Sequence, residues 1–398
     1  MRVLLTIAFI LASTMGICQI AYLPNSWDNN IFVINVATNT VTDTIAVGNL
    51  PLGVSVSPDG SKVYVANEGD TSVSVINTAT NTVSATIRVG YGPYGLSVNP
   101  AGTKVYVANN EGTVSVINAT TNSVTTTIPV GTFPYATCVT PDGSKVYVTN
   151  YGDNTVNVIN TVTNTVLDTI PVGTSPYGIV IIPDGSKVYV ANYNDSSVSV
   201  INTATNTVSA TIAVGSIPTA ISVSPDGSKV YVTNTGASTL SVINTSTNSV
   251  SATIAVGANP FGVSVSPNGS KVYVVNKSSN TVSVIDTATN TVSDTIAVGR
   301  HPVALGNFIS THTSTGIALL SMEPLTISIY PNPTSGQFSI LLPAENAEII
   351  ITDILGQQIL KTQAMLRTMN LQLDNNGVYI VYVKTKQGTI SRKLIVNR

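Results

Sequence analysis

Aromatic residues follow proline at Tyr94, Tyr135, Tyr177 and Phe261, where Leu52, Thr219 and Val303 stand in equivalent contexts. Short segments nearby add further rings and carboxylates: Trp27 and Asp28, Glu68 and Asp70, Glu111, Tyr151 and Asp153, Tyr193 and Asp195. Rings and acids on adjoining loops can stack on sugars or anchor a peptide. Arg300 and His301 form one more candidate pair, and the only other histidine is His312. Acid–base catalysis needs tuned groups converging on one pocket. Glu68, Asp70 and Glu111 are the carboxylates that could serve, and no nucleophile or metal partner accompanies His301, so no catalytic residue is expected. A repeated acid, Asp59, Asp142, Asp184 and Asp226, could be imagined as a metal-binding ring. Ala101 and Asn268 replace it with the Pro, Gly and Lys of the turn kept, so turn chemistry is the better reading, and no metal or cofactor is expected. Cys138 falls in an apolar alternating run and reads as a buried, inert thiol.

The elements that must position these residues are repeats. SPDGSKVYVAN at Ser57–Asn67 returns five more times in close variants. Its lysines, Lys62, Lys104, Lys145, Lys187, Lys229 and Lys271, are 42, 41, 42, 42 and 42 residues apart. A second phrase, VINTATNTVSATIAVG, keeps the same period. Each unit holds four runs of period-two alternation bounded by Pro, Gly, Asn and Asp, which predicts four strands, A to D. Asp59–Gly60 supplies the A–B hairpin and the Asn of ATNTV the C–D hairpin. Four antiparallel strands in about 42 residues match a propeller blade.

Six complete units follow an incomplete one. Ile20–Asn35 aligns on Lys187–Asn202, so the first unit lacks strand A. The sequence HPVALGNFI at His301–Ile309 has the A-strand pattern and no B strand after it. It is therefore predicted to close a seven-bladed ring and remove its open ends. In such a meander the A–B and C–D turns share one face, and the B–C and D–A loops share the other. The first face is monotonous. The second carries every candidate binding residue above, with its rings and acids concentrated on one arc, and the alternative is that the tyrosines fill gaps between blades. The repeated lysines are read as solvated hairpin residues, and Asn67 and its equivalents as fixing the B–C turn.

The strand B endings YVAN, YVTN and YVVN resemble the YVTN family of β-propeller repeats over about residues 20–309. That resemblance implies a secreted or surface protein with roles in surface layers, adhesion and occasionally propeller enzymes. Beyond Ser310 the repeat stops. The strings YPNPTSGQFSI, TDILGQQI and NGVYIVYV, with Lys393 near the end, resemble the type A carboxy-terminal sorting domain of type IX secretion. It implies delivery across the outer membrane by the secretion machinery and removal by a sortase-like surface peptidase. The same stretch carries about seven short alternating strands, enough for a small Ig-like β-sandwich.

Composition fits an all-β exported chain. Charged residues are only 9% of 398 and the formal charge is −2, without the basic clustering that nucleic acid demands. Arg2 followed by VLLTIAFILA and STMGIC reads as a secretory signal cleaved before Gln19. It is too short for a good membrane span, and no later segment is long enough. After cleavage only Cys138 remains, so no intramolecular disulfide forms. The expected organisation is a signal at 1–18, a propeller at 19–309, a linker at 310–321 and a sorting β-sandwich at 322–398. The expected function is non-enzymatic binding of a surface glycan or protein through the B–C/D–A face. The runners-up are a structural surface-layer component and a propeller enzyme such as a lyase. Asp-Thr-Ile triplets at Asp43, Asp168 and Asp294 resemble bacterial O-glycosylation sequons and fit ordinary D-strand patterning equally well.

Overall fold

The computed structural model describes residues 19–310, 327–342, 347–366, 368–385 and 388–397. The expected signal segment and all of the expected linker beyond Ser310 lie outside them. The chain divides into two compact units, 1–316 and 317–398.

Six sheets of the first unit have four antiparallel strands, hydrogen-bonded in chain order. In the second blade these are Pro51–Val56, Lys62–Asn67, Ser72–Asn77 and Thr82–Arg88 as strands A to D. The first sheet has three, Ile20–Asn25, Asn30–Asn35 and Thr40–Ala46. His301–Ser310 completes it. The Tyr22 N–H donates to the Phe308 carbonyl at 2.8 Å, Val303 to Pro24 at 3.0 Å and Ser310 to Ile20 at 2.9 Å. The propeller has seven blades, closed as the repeat arithmetic predicts.

Strands B and C are buried along almost their whole length because neighbouring blades cover both faces, whereas strand D is mostly exposed. The largest fully buried side chains are the strand B tyrosines Tyr64, Tyr106, Tyr147, Tyr189, Tyr231 and Tyr273. Three of them explain the second repeat phrase. Tyr147, Tyr189 and Tyr273 each donate a hydroxyl to the side-chain oxygen of a C–D turn asparagine in the next blade, Asn206, Asn248 and Asn39, at 3.0–3.1 Å. The repeated lysines differ from the solvated reading. They are half-buried, and Nζ of Lys62, Lys104 and Lys187 donates to the Ala119, Thr161 and Thr245 carbonyls of the adjacent blade at 2.6–2.9 Å. Each such bond joins units that strand pairing alone leaves separate. The triplet aspartates also join blades: Asn81 donates to Asp43, Asn206 to Asp168 and Asn39 to Asp294, at 2.8–3.1 Å.

Every C–D pair contains a bulge, in the second blade between Val75 and Ile76. Ser84, the extra residue, donates its hydroxyl to the Val75 carbonyl at 3.0 Å, so the interrupted ladder keeps its acceptor satisfied.

The A–B turns behave as their composition predicts. Gly60 sits at φ 69°, and Asp59 accepts from Ser57 Oγ at 2.6 Å and Ser61 Oγ at 2.7 Å. Those hydrogen bonds hold the carboxyls of Asp59, Asp142 and Asp226 at about 2, below their ordinary 3.8. Bonding to the charged form lowers the folded value, so the contribution is complete above about 3.8 and lost as pH falls through about 2. The propeller's melting temperature is therefore expected to decline as pH drops from 4 to 2. Changing the three aspartates to asparagine, which Asn268 shows the turn accepts, should flatten that decline. A wild-type and variant profile of the same steepness would show that other groups govern acid stability.

The second unit is a two-layer sandwich. One sheet joins Ser328–Tyr330, Gln337–Leu341 and Thr368–Gln372. The other runs Gln358–Ala364, Ala347–Asp353, Gly377–Thr385 and Gly388–Val396 in spatial order. Phe338, Ile340, Ile349, Ile351, Val381 and Leu394 belong to its single core.

Candidate functional site at the variable loop face

The D–A loops share a feature absent from sequence expectation. The residue before each A-strand proline lies in the left-handed region: Leu50, Gly92, Phe133, Ser175, Ile217, Asn259 and His301, at φ 49–61°. A residue before proline ordinarily takes extended backbone, so something must hold these. Clamps do. Leu50 N–H donates to Asn29 Oδ1 of the preceding blade at 3.0 Å, and the neighbouring Asn49 N–H donates to Asp70 of its own blade at 2.5 Å. Asp153 accepts from the Thr132 N–H at 2.5 Å, and Asp195 accepts from that of Thr174. Across the ring closure the pattern repeats: Arg300 N–H donates to Asp28 at 2.6 Å, and Arg300 Nε reaches the same carboxylate at 2.7 Å. Four of the candidate acids, Asp28, Asp70, Asp153 and Asp195, thus set loop geometry. Glu111 accepts from the Thr113 hydroxyl at 3.3 Å, and Glu68 lies in a short 3-10 turn close enough to add to the burial that raises the Tyr94 phenol pKa.

Two positions recur in each blade of this face, one at the start of strand A and one just after strand B. Residues after the proline are Leu52, Tyr94, Tyr135, Tyr177, Thr219, Phe261 and Val303; residues after the strand B asparagine are Ser26, Glu68, Asn110, Tyr151, Tyr193, Thr235 and Lys277. These positions vary where the rest of the blade hardly does. Six of the predicted residues meet in one cluster with buried Val303 and Leu305. Tyr135 packs on Tyr94 at 4.5 Å, Tyr177 at 4.5 Å and Tyr151 at 4.9 Å between ring centroids. Tyr177 meets Tyr193 at 5.8 Å and Phe261 edge-on at 5.6 Å. The tyrosines therefore pack on one another where the inner strands of successive blades meet, a packing role shared across blades. Tyr177 is buried; Tyr94, Tyr135, Tyr151, Tyr193 and Phe261 are half-buried. Burial raises the phenol pKa of Tyr94, Tyr135 and Tyr177 above the ordinary value of 10.0.

Trp27 and His301 form a second group, with rings stacked at 4.1 Å and 8°. Trp27 is 59% exposed. Lys277, missed in the sequence because its loop has neither acid nor ring, links the groups: its Nζ lies 4.5 Å from the Phe261 centroid. Its ammonium makes no ion pair among the described residues, and burial lowers its pKa. Desolvation, and then Lys277, lower that of His301. Tyr91 and Phe133, 65% and 48% exposed, were missed too, because they precede the prolines and not follow them. Comparing blades at those positions would have found both. Cys138 is buried, and desolvation pushes its thiol well above the ordinary value.

A family model described as a YNCE-like beta-propeller matches residues 4–111 and 179–270, half of the chain. The chain belongs to the YNCE-like β-propeller family. A second family model, the secretion system C-terminal sorting domain, matches residues 328–397 behind the YNCE-like propeller. The sandwich is thus a type IX sorting domain, and the protein is exported to the cell surface or beyond. No helix among the described residues is long and apolar enough to cross a membrane. A search of the curated proteins finds no match. Among solved structures, the YNCE-like propeller is similar to hydrazine synthase of Kuenenia stuttgartiensis, with TM-score 0.62 and 22% identity over 67% of this chain and 92% of that one. It is also similar to a functionally unknown protein from Desulfotomaculum acetoxidans, with TM-score 0.65 and 18% identity over 73% and 98%. At those identities the likeness concerns the fold.

Proposed function

We propose that this exported propeller is a non-enzymatic binding module that takes a surface glycan or protein on its B–C/D–A face. The observation that carries this reading is the placement of the exposed rings. Among near-identical blades, the three exposed aromatics of the propeller, Trp27, Tyr91 and Phe133, all lie in loops of this one face. Rigidly clamped loops bearing exposed rings suit recognition, since little ordering entropy remains to be lost on binding. Binding, in preference to catalysis, is supported by the engagement of the aspartates on backbone amides and by phenols that stay protonated near neutral pH.

Solid-phase binding of the purified chain to surface polysaccharide and surface protein fractions tests this. Trp27→Ala, Tyr91→Ala and Phe133→Ala should each weaken binding by roughly three- to tenfold, at about 1 kcal/mol per ring, with the melting temperature unchanged. Tyr177→Ala should behave oppositely, costing about 3 kcal/mol of stability because it empties the centre of the cluster. Equal binding by the wild type and the three exposed-ring variants would remove the reading.

A further inference from the structure

In the sorting domain, Asp353 ends one strand and Gln358 begins the next, leaving Ile354, Leu355, Gly356 and Gln357 as the turn. That turn is tightly built. Asp353 Oδ1 accepts from the N–H groups of Leu355 and Gln357 at 2.8 and 2.9 Å. Its backbone adds Gly356 N–H to the Asp353 carbonyl at 3.1 Å and Asp353 N–H to the Gln357 carbonyl at 3.0 Å. None of these bonds calls for an aliphatic side chain, yet Ile354 is 72% exposed and Leu355 89%. A register shift in the adjoining strand pair leaves Ile359, 44% exposed, beside them as the unpaired residue. Three branched aliphatic groups are thus held in water on a rigid support at the end of an edge strand. Surface apolar groups scattered singly need no explanation, but a fixed cluster marks a contact.

We propose that the Ile354–Leu355 turn, with Ile359, is the knob by which an apolar pocket of the export machinery recognises this domain. The occupant follows from the domain's assignment to secretion sorting: the apparatus must read this unit by its surface. A lipid surface fits less well. Membrane-seeking segments pair apolar groups with Lys and Arg, whereas residues 353–359 carry Asp353, two glutamines and no base. Met365 and Leu366, also exposed, lie at the other end of the strand and serve as a control.

The test compares full-length chains in a bacterium that carries type IX secretion, measuring surface plus medium against periplasm by immunoblot. Ile354→Ser/Leu355→Ser should lower export at least tenfold and accumulate a periplasmic form that melts like the wild type. Met365→Ser/Leu366→Ser should leave export unchanged. Ile354→Ala/Leu355→Ala, which keeps every turn hydrogen bond, covers the case of a degraded serine variant and should also impair export. Normal export of a folded turn variant overturns the proposal, as does impairment by the control pair alone. Flotation of the wild type, but not the turn variant, with phosphatidylethanolamine–phosphatidylglycerol vesicles would also overturn it, in favour of lipid. Deletion of residues 327–398 separates the levels: if that chain too is exported, the sorting role itself fails, and not only the part assigned to the turn.

Discussion

A chain ending at Arg300 should not form a stable propeller. The lost segment includes Val303, Ala304, Leu305, Phe308 and Ile309, all at most 3% exposed. Burying four larger side chains of this kind stabilises by about 1.5–3 kcal/mol each, a sum comparable with the 5–15 kcal/mol of a whole domain. Their removal also strips partners from two blades. Leu305 accepts from the Val54 N–H at 3.0 Å and donates to the Leu52 carbonyl at 3.1 Å, in addition to the pairing with the first blade. The expected result is aggregation, or loss of the cooperative melting transition. Phe308→Ala, a milder version, should cost about 3–5 kcal/mol. A truncated chain that melts with the wild type would show that the ring does not depend on its last strand.

The second large effect is expected at Gly53, on the inner strand of the second blade. A Cβ there would lie 2.0 Å from the Tyr94 carbonyl oxygen of the next inner strand. The obstructing atom is backbone, so no side chain can rotate away, and the two blades must separate. Gly53→Val should cost about 3 kcal/mol or more. The displaced inner strand also carries Tyr94, so the aromatic cluster should loosen, visible as changed near-ultraviolet circular dichroism. An unchanged melting curve would mean that the inner strands of adjacent blades are not in this close contact.

Much of this architecture can be read from periodicity. Strand number, the missing first strand and its replacement at 301–309 all follow from aligning the repeats. What the repeats conceal is their mutual contacts. Lys62 and Ala119 are 57 residues apart, and a period gives no sign that one blade's lysine reaches another blade's carbonyl. Because the lysine recurs unchanged, it looks like any exposed turn residue. The candidate face was legible in part for the opposite reason: Tyr94, Tyr135 and Tyr177 stand out against the blades that lack them. Lys277 did not, since a single lysine in a Ser/Asn loop carries no pattern until the fold sets it against Phe261. The left-handed residues before proline were illegible because local preference opposes them, and at Leu50, Ser175 and His301 it is the side chains of Asn29, Asn154 and Asn280 in flanking loops that hold them.

The Ser310–Ile20 hydrogen bond has a directional consequence. Ile20 begins a B strand and Ser310 follows the last A strand, so the polypeptide joins and departs the ring on the monotonous side, away from Trp27, Tyr91 and Phe133. Any tether attached at either end pulls from that side. Both points of attachment to the propeller are thus on the face opposite its variable loops.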